Sequence, residues 1–294
     1  LYAVGISPQK LARVMAMRAK GIDLRIITDN LDMAQAIAGS AAGGALPTLV
    51  EIDVDGHRAG LAYDDANALA AVAAALGVNF AGILTHAGGS YSLSDPQLLE
   101  QAAQSEMERA VHAADLLRRK GHVPGIVSIG STPTGFSARC LADVTEFRAG
   151  VYVFCDLVMH GIGVCAKSDI ALSVLTTVIG TYPDRGIAIV DAGWMALSRD
   201  RGTQEQAIDQ GYGAVCDIDG NPLIDVLVTQ ANQEHGIIAI RSGSTARLPN
   251  FNVGDRLRIL PNHACATAAQ HARYAVVNSN SAEIVANWER FGGW

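Results

Sequence analysis

The amino-acid sequence predicts an α/β protein in two parts, a parallel sheet covered by helices and then an all-β domain. In the first part, short apolar runs rich in β-branched residues alternate with helical segments, which is typical of a parallel sheet buried on both faces. In the second part, strand-like runs follow one another with turns between them. We therefore predict a first domain at residues 1–163 and a second domain at residues 164–294.

Six strand–helix units are predicted in the first domain. The clearest helical segment runs from Asp95 to Gly121, where apolar residues recur at helical spacing. From these residues alone, a barrel and an open doubly wound sheet both fit, and a closed (β/α)8 barrel needs eight such units. The strand-like runs are Leu1–Gly5, Leu24–Asp29, Leu49–Val54, Phe80–His86, Gly125–Gly130 and Phe147–Phe154.

The second domain is predicted to consist of closely spaced strands. Asp219-Gly220-Asn221 predicts a tight hairpin turn, because glycine adopts positive φ without strain. The strand-like runs are Ala171–Ile179, Gly186–Val190, Ala214–Asp217, Leu223–Leu227, Gly236–Ile240, Arg256–Leu260 and Tyr274–Val277.

Composition excludes several classes of protein. Of the 294 residues, 49% are hydrophobic and 17% are charged, which is enough apolar surface for a packed core. The net charge is −7 and the longest basic run is Arg118-Arg119-Lys120, which argues against a nucleic-acid partner. The longest apolar stretch, Ala68–Val78, is too short to span a membrane. Five scattered cysteines, an odd number, predict a reducing, cytoplasmic setting.

A histidine and a cysteine two residues apart, His263 and Cys265, follow the predicted strand Arg256–Leu260. If this segment stays extended, both side chains lie on one face, and imidazole with thiolate forms half of a zinc site. The alternative is a buried cysteine beside an unrelated histidine. Spacing alone favours that alternative, because structural zinc usually takes four protein ligands. A site with fewer protein ligands would be open, as catalytic sites are.

Polar groups follow several predicted strands of the first domain. Gly130-Ser131-Thr132 is either an anion-binding nest or a helix cap, and both readings stay open. In the segment Arg148–Tyr152, Gly150 either allows close approach of a ligand or marks a bend. His86 and Tyr91 follow a strand whose carboxyl end is where such folds place their sites, although a histidine hydrogen-bonded in a loop is commoner.

Together these motifs resemble the D-serine dehydratase and D-threonine aldolase group of pyridoxal-phosphate enzymes, which have an alanine-racemase-like fold. Within the group, Val190–Ala196 and Ser198–Thr203 are most similar to the bacterial D-threo-3-hydroxyaspartate dehydratase type. The resemblance runs along essentially the whole chain. The other motifs that show the resemblance are Asp55–Gly60, Thr85–Gly88, Gly130–Thr134, Arg148–Phe154, Asp191–Trp194, Gln233–Gly236 and Pro261–Thr267.

The resemblance implies a (β/α)8 TIM-type barrel followed by an all-β domain. Leu1 then corresponds to the start of the third barrel strand, so we expect the N-terminal strands to be missing from this chain. The family's lysine that links covalently to the cofactor follows the first barrel strand, and it is expected on that missing part. A separate N-terminal fragment is one form in which that part could be supplied. None of the lysines Lys10, Lys20, Lys120 and Lys167 follows a predicted barrel strand.

Carried over residue by residue, the resemblance implies a pyridoxal 5′-phosphate site and a metal site. His86 and Arg148 are the catalytic candidates near the pyridine ring, and Tyr91 also contacts the cofactor. The implied phosphate ligands are Ser131, Thr132, Gly150 and Val151. His263 and Cys265 are expected to bind Zn²⁺, or another divalent metal, next to the substrate.

The implied reaction eliminates water from a D-3-hydroxy amino acid, such as D-threo-3-hydroxyaspartate or D-serine, to give a 2-oxo acid and ammonia. The cofactor would act as an electron sink and the metal as a Lewis acid on the leaving hydroxyl group. The alternative is a metal-activated D-threonine aldolase, although aldolases of the family tend to carry aspartate where Cys265 stands. A lesser alternative is a non-catalytic pyridoxal-phosphate-binding protein. The resemblance also implies a homodimer.

Overall fold

The computed structural model describes residues 1–40, 45–278, 281 and 283–292. The chain forms two compact units, Leu1–Gly150 and Val151–Trp294. This division falls before the domain boundary expected between residues 163 and 164. The physical reason is that the segment after Val151 is hydrogen-bonded into the second unit, since Leu157 N donates to the Pro261 carbonyl at 3.0 Å.

The first unit contains a parallel sheet and five α-helices among its described residues. Its strands are β1 (Ile26–Thr28), β2 (Thr48–Asp53), β3 (Leu61–Ala62), β4 (Phe80–Leu84), β5 (Ile126–Ile129) and β6 (Glu146–Phe147). Its helices are α1 (Pro8–Ala19), α2 (Leu31–Ser40), α3 (Ala66–Leu76), α4 (Pro96–Arg119) and α5 (Thr132–Ser137). Single 3-10 turns cover Gly77–Asn79 and Gly88–Ser92.

The strands of this sheet follow one another in the order β1-β2-β4-β5-β6, with β3 paired to β2. Every pairing is parallel. A sequential parallel order with intervening helices is the order within (β/α)8 barrels, and it brings the carboxyl ends of the strands to one edge. The core beneath the helices contains fully buried residues such as Ile26, Val50 and Ile83.

Helix α4 forms where the sequence predicts it. The Asp95 carboxylate caps it by accepting from Gln97 N at 2.7 Å, and the first helical residue is a proline, which needs no donor there. The chain leaves the helix at Lys120-Gly121, where Gly121 has φ +86°.

Two predicted strands of the first unit are wrong. Leu1–Gly5 forms only one isolated bridge, between Gly5 and Ile27. The run Phe147–Phe154 leaves the sheet after Phe147, because the chain bends at Gly150 and then forms a 3-10 turn, Val151–Val153.

The second unit contains a closed barrel and a hairpin. Its strands are β7 (Val174–Tyr182), β8 (Ile187–Val190), β9 (Ala214–Cys216), β10 (Pro222–Ala231), β11 (Gly236–Ile240), β12 (Arg256–Leu260), β13 (Arg273–Val277) and β14 (Ile284–Glu289). Its α-helices are α6 (Leu157–Gly161), α7 (Trp194–Leu197) and α8 (Ala264–Ala268), and further 3-10 turns cover Lys167–Asp169 and Pro183–Arg185.

The antiparallel barrel has the order β10-β11-β8-β7-β12-β9, and β13 pairs with β14. Its interior is filled by valine and isoleucine side chains such as Val178, Val228 and Ile259. The predicted hairpin turn at Asp219-Gly220-Asn221 is confirmed. Gly220 has φ +94° and the Asp217 carboxylate accepts from Asn221 N at 2.8 Å.

Within the part of the chain that the structure describes, no helix is long and apolar enough to cross a membrane. All five cysteines are free thiols.

Candidate functional site

Two polar side chains predicted to lie near the same ligand, those of His86 and Arg148, are found with the backbone of Gly130 at the carboxyl edge of the parallel sheet. His86, which follows β4, has Nδ1 3.1 Å from the carbonyl oxygen of Gly130, which follows β5. Arg148, which follows β6, donates from Nη2 to the Thr85 carbonyl at 2.5 Å and from Nη1 to Ser128 Oγ at 3.0 Å. The fold therefore brings His86, Gly130 and Arg148 into one cluster, although they are far apart in sequence.

The protonation state of His86 follows from these contacts. Burial first, and then the positive charges of Arg58 and Arg148, lower the pKa of His86, against the hydrogen bond to Gly130. A carbonyl oxygen only accepts, so Nδ1 carries the hydrogen and the neutral ring has a lone pair on Nε2. The Tyr91 ring lies 6.0 Å from the His86 ring, centroid to centroid. His86 is thus a neutral acceptor rather than a cation.

Glycine is required at position 130 for two reasons. Its φ is +131°, a conformation that side chains with a Cβ rarely adopt. A Cβ there would also lie 2.2 Å from the Arg148 carbonyl oxygen. The loop after β5 can therefore pass this close to the backbone at Arg148 only with glycine.

Ser131 and Thr134 form a capping box at the start of α5. Ser131 Oγ accepts from Thr134 N at 3.3 Å, and Thr134 Oγ1 accepts from Ser131 N at 3.1 Å. Ser131 Oγ also lies 2.9 Å from Ser90 Oγ, and both Ser131 and Thr132 are buried. Of the two interpretations offered by the sequence, the helix cap is present, and the anion-binding role of Ser131 and Thr132 stays a prediction.

A buried carboxylate that the sequence analysis missed lies beneath this loop. Glu106 on α4 accepts through Oε1 from Ala87 N at 3.2 Å and Gly130 N at 3.0 Å, and through Oε2 from Thr134 Oγ1 at 2.7 Å. Burial raises the pKa of Glu106, against these hydrogen bonds and the charge of Arg148. The position was detectable, because Glu106 falls on the buried stripe of α4, which a charge rarely occupies.

The Arg148 side chain, like that of Glu106, is largely buried. Burial lowers its pKa, while the negative charges of Glu146, Glu106 and Glu51 oppose that effect. The Ser128 hydroxyl that accepts from Arg148 itself donates to Glu146 Oε1 at 2.5 Å. The guanidinium group therefore has a fixed orientation and compensates several carboxylates at this edge of the sheet.

The paired glycines of the loop after β4 make room for the turn after β2. A Cβ on Gly88 would lie 2.2 Å from Cδ2 of His57, and Gly89 N donates to Asp55 Oδ2 at 2.8 Å. These glycines therefore accommodate the His57 ring and the Asp55 carboxylate.

Two features of the cluster leave room for a ligand. Within the described residues, the Thr85 hydroxyl is buried without a hydrogen-bond partner, which a ligand would explain. A Cβ built on Gly150 meets no atom within 4 Å, so the backbone there is open to a ligand. Val151 begins the second unit, where its carbonyl accepts from Cys155 N at 2.8 Å. Roles for Gly150 and Val151 stay predictions.

The second candidate site lies in the second unit at His263 and Cys265. The extended segment assumed for this pair is wrong, since α8 begins at Ala264 and His263 occupies its N-cap position. The two side chains are nevertheless in contact. A hydrogen bond with Cys265, and then one with the Asp200 carboxylate, raise the pKa of His263 to about 9 against the effect of burial.

Two carboxylates support this pair. Asp200 Oδ2 lies 2.5 Å from His263 Nδ1. The buried Asp156 accepts through Oδ2 from Ala264 N at 2.9 Å and through Oδ1 from Met159 N at 2.9 Å. Burial raises the pKa of Asp156, against the hydrogen bonds from Ala264 and Met159 and the charge of His263. No role was predicted from the sequence for Asp200 or Asp156.

The donor set of this pair fits a divalent metal. Imidazole and thiol side chains are the ligands that zinc prefers. Among the described residues, no cluster of three His, Cys, Asp or Glu side chains is arranged to hold a metal. An ion bound by His263 and Cys265 would therefore keep positions for water or an oxygen of the substrate, as catalytic zinc does.

Two family models match the chain. The alanine racemase N-terminal domain matches residues 3–157, and the serine dehydratase domain matches residues 171–277. The first match covers more than half of the chain.

Curated relatives match along the whole chain. It is 50% identical over 301 residues to the D-threo-3-hydroxyaspartate dehydratase of Delftia sp. strain HT23, covering 100% of this chain and 79% of that protein. It is 28% identical over 302 residues to the D-serine dehydratase of Dictyostelium discoideum, covering 96% of this chain and 75% of that protein.

Solved structures agree with the fold. The D-threo-3-hydroxyaspartate dehydratase from Delftia sp. HT23 matches with a TM-score of 0.94 at 49% identity, covering 99% of this chain and 78% of that chain. D-threonine aldolase from Filomicrobium marinum matches with a TM-score of 0.76 at 23% identity, covering 97% and 73% of the two chains, which shows a common fold only. These matches confirm the predicted fold, an alanine-racemase-like barrel domain followed by a β domain.

Proposed function

The chain belongs to the family of D-serine dehydratases built on the alanine-racemase fold, and from that premise we propose that it is a lyase that eliminates water from a D-3-hydroxy amino acid. D-threo-3-hydroxyaspartate is the proposed substrate, and the products are a 2-oxo acid and ammonia. The relative with 50% identity supports this substrate. The observation that carries the proposal is the contact between Cys265 and His263 at the start of α8.

We propose that the cluster at the carboxyl edge of the parallel sheet binds pyridoxal 5′-phosphate. When bound, this cofactor would supply an electron sink for a negative charge at Cα. Ser131, Thr132, Gly150 and Val151 are proposed to hold its phosphate group. The Arg148 guanidinium would offset the negative charge that Glu106 places beneath this loop.

His86 and Arg148 are proposed to orient the cofactor ring. His86 is fixed through Nδ1 to Gly130, so its Nε2 lone pair and its ring face are the parts available to a ligand. Arg148 is fixed by the Thr85 carbonyl and the Ser128 hydroxyl, so its direction does not depend on the ligand. Tyr91, close to the His86 ring, would add a further contact.

His263 and Cys265 are proposed to bind Zn²⁺ or another divalent metal. When bound, the metal would supply a Lewis acid for the leaving hydroxyl group. The residues themselves must first lose a proton, because a metal binds the neutral imidazole and the thiolate. The pKa of about 9 for His263 therefore predicts that metal binding strengthens as pH rises towards that value.

The second candidate function is aldol cleavage of the same class of substrate to glycine and an aldehyde. A 3-hydroxy-D-aspartate aldolase from Paracoccus denitrificans is 25% identical to this chain. Aldol cleavage is therefore tested alongside dehydration. The cysteine at position 265 favours dehydration, since the resemblance associates aspartate at that position with aldolases.

Product analysis tests the proposal. The purified full-length protein, including the part expected to carry the cofactor-linking lysine, is supplied with pyridoxal 5′-phosphate and Zn²⁺ and incubated with D-threo-3-hydroxyaspartate, D-serine or D-threonine. We expect a 2-oxo acid and ammonia in equal amounts. Glycine with an aldehyde would contradict dehydration, and no reaction with any of them would contradict the proposal.

The substitution Cys265→Ala should lower formation of the 2-oxo acid at least about 10³-fold, because Lewis-acid polarisation is worth several kcal/mol. Its matched control is Cys140→Ala, which removes an exposed cysteine of the first unit and should leave the rate unchanged. Equal rates in both variants would show that the thiol at position 265 has no part in the reaction.

The homodimer inferred from the resemblance is likewise a proposal. Sedimentation of the purified protein at several concentrations measures it.

A further inference from the structure

Asp200 makes a contact with His263 that the proposed reaction does not itself require. The two residues are separated by 63 positions, and Asp200 Oδ2 lies 2.5 Å from His263 Nδ1. Asp200 belongs to the loop that follows α7, whereas His263 lies between β12 and α8. Both side chains are partly exposed, so the contact is not a forced consequence of burial.

The loop that carries Asp200 is fixed relative to His263. Asp200 N donates to Ser198 Oγ at 3.2 Å. Three residues further on, Thr203 donates from Oγ1 to Asn262 Oδ1 at 2.6 Å, and both Thr203 and Asn262 are buried. Asn262 directly precedes His263. The Thr203–Asn262 hydrogen bond therefore holds the Asp200 loop against the His263 segment, next to the carboxylate–imidazole contact.

The chemistry of the contact determines which ring nitrogen remains for a ligand. A carboxylate only accepts, so the hydrogen on Nδ1 of His263 points at Asp200. In the neutral ring the lone pair is then on Nε2. A carboxylate on one nitrogen of a metal-binding histidine fixes the tautomer and the ring orientation, and it raises the basicity of the other nitrogen.

We propose that Asp200 is a positioning residue for the metal site, which turns the His263 ring so that Nε2 is presented to the ion beside Cys265. The inference rests on the proposed function, because it assumes that a divalent metal binds there. Asp200 Oδ2 lies against Nδ1 of His263, so in this proposal Asp200 acts through His263 and not as a third ligand.

Metal titration of two variants tests the inference. The metal-free protein, loaded with pyridoxal 5′-phosphate, is titrated with Zn²⁺ against a chromophoric chelator. Asp200→Ala should weaken Zn²⁺ binding about 10- to 100-fold, which is the usual effect of losing such a partner. Asp200→Asn keeps an oxygen that accepts from Nδ1 and should retain most of the affinity.

Cobalt provides a readout of geometry that a general loss of stability would not produce. With Co²⁺ in place of Zn²⁺, the d–d absorption bands report the arrangement of the ligands. We expect Asp200→Ala to change these bands and Asp200→Asn to restore them. Unchanged zinc affinity and unchanged bands in Asp200→Ala would overturn the inference, and so would equal losses in both variants.

Two sets of controls separate this inference from the proposed function. Asp217→Ala removes a carboxylate that, among the described residues, accepts within its own hairpin from Asp219 N and Asn221, and it should not change zinc affinity. His263→Ala and Cys265→Ala should abolish zinc binding. If the unaltered protein binds no zinc, the proposed metal site fails. If binding needs His263 and Cys265 but not Asp200, only the inference fails.

Discussion

Both units support a candidate site with a buried carboxylate that accepts backbone N–H groups, but the electrostatic consequences are opposite. Glu106, 2% exposed, lies beneath the proposed anion-binding loop of the first unit. Asp156, 1% exposed, lies beneath the proposed metal site of the second unit. A buried negative charge repels a phosphate group and attracts a metal ion. The first site therefore needs the compensating charge of Arg148, whereas the second does not.

The two carboxylates also use their oxygens differently. Asp156 accepts one backbone N–H on each oxygen, from Met159 and from Ala264. Glu106 accepts both of its N–H groups on Oε1, and its Oε2 faces only the Thr134 hydroxyl. An amide NH₂ in place of Glu106 Oε2 would face the Thr134 hydroxyl, which can rotate to accept from it. An amide NH₂ in place of either Asp156 oxygen would face a backbone N–H, which cannot accept. Replacement by the matching amide should therefore be harmful at position 156 and tolerated at position 106.

The largest effect on the first site is expected from Gly130→Ala. The φ of +131° and the contact of 2.2 Å with the Arg148 carbonyl oxygen should together cost about 3 kcal/mol or more of unfolding free energy. Urea denaturation measures the loss. Gly125→Ala is the matched control, because its Cβ would lie 3.4 Å from the Ala81 carbonyl oxygen. Equal midpoints for the two variants would contradict the steric argument.

A smaller effect is expected from Asp156→Asn. The amide NH₂ would face either Met159 N or Ala264 N, so one buried donor loses its acceptor at a cost of about 1 to 3 kcal/mol. Removing the negative charge should also weaken Zn²⁺ binding. Urea denaturation of the metal-free protein and chelator competition measure the two effects separately. Stability equal to that of the unaltered protein would show that the second N–H finds another acceptor.

The smallest effect, and one with a pH dependence, is expected from Glu106→Gln. At low pH the variant should lie within about 1 kcal/mol of the unaltered protein, because Thr134 can turn its hydroxyl. The pKa of Glu106 is raised above 4.5, so the native state holds a proton that the unfolded chain has lost. The unaltered protein should thus lose stability relative to the variant from pH 4.5 up to the raised pKa, and no further above it.

Urea denaturation of both proteins over this pH range checks the sign. A stability difference that does not change with pH would show that Glu106 titrates normally. A rise in the relative stability of the unaltered protein would show that its hydrogen bonds outweigh burial.

Local sequence patterns were sufficient for much of the fold. The continuous apolar runs predicted β2, β4 and β5 closely, since each strand is buried where it crosses the sheet. The run at Phe147–Phe154 was wrong because the chain bends at Gly150, and the β-branched and aromatic residues after it form a 3-10 turn. Strand β14 was missed because its apolar and polar residues do not alternate, and most of its residues, Ile284, Val285 and Trp288 among them, are exposed.

The candidate sites were predictable only in part. His86, Arg148, His263 and Cys265 are chemically conspicuous, and the fold brings each into a cluster. Glu106 could have been found as a charge on an apolar helical stripe. Asp200 could not, because its partner is 63 residues away and nothing in the spacing connects them.

Closure of the antiparallel barrel also sets an order for synthesis on the ribosome. Strand β12 joins β7 to β9, so the barrel stays open until residue 260 has emerged. The sheet of the first unit pairs neighbours in sequence and can assemble much earlier. His263 follows the closing strand almost at once. The proposed metal site is therefore complete only after the barrel has closed, and an ion bound there would be captured after closure.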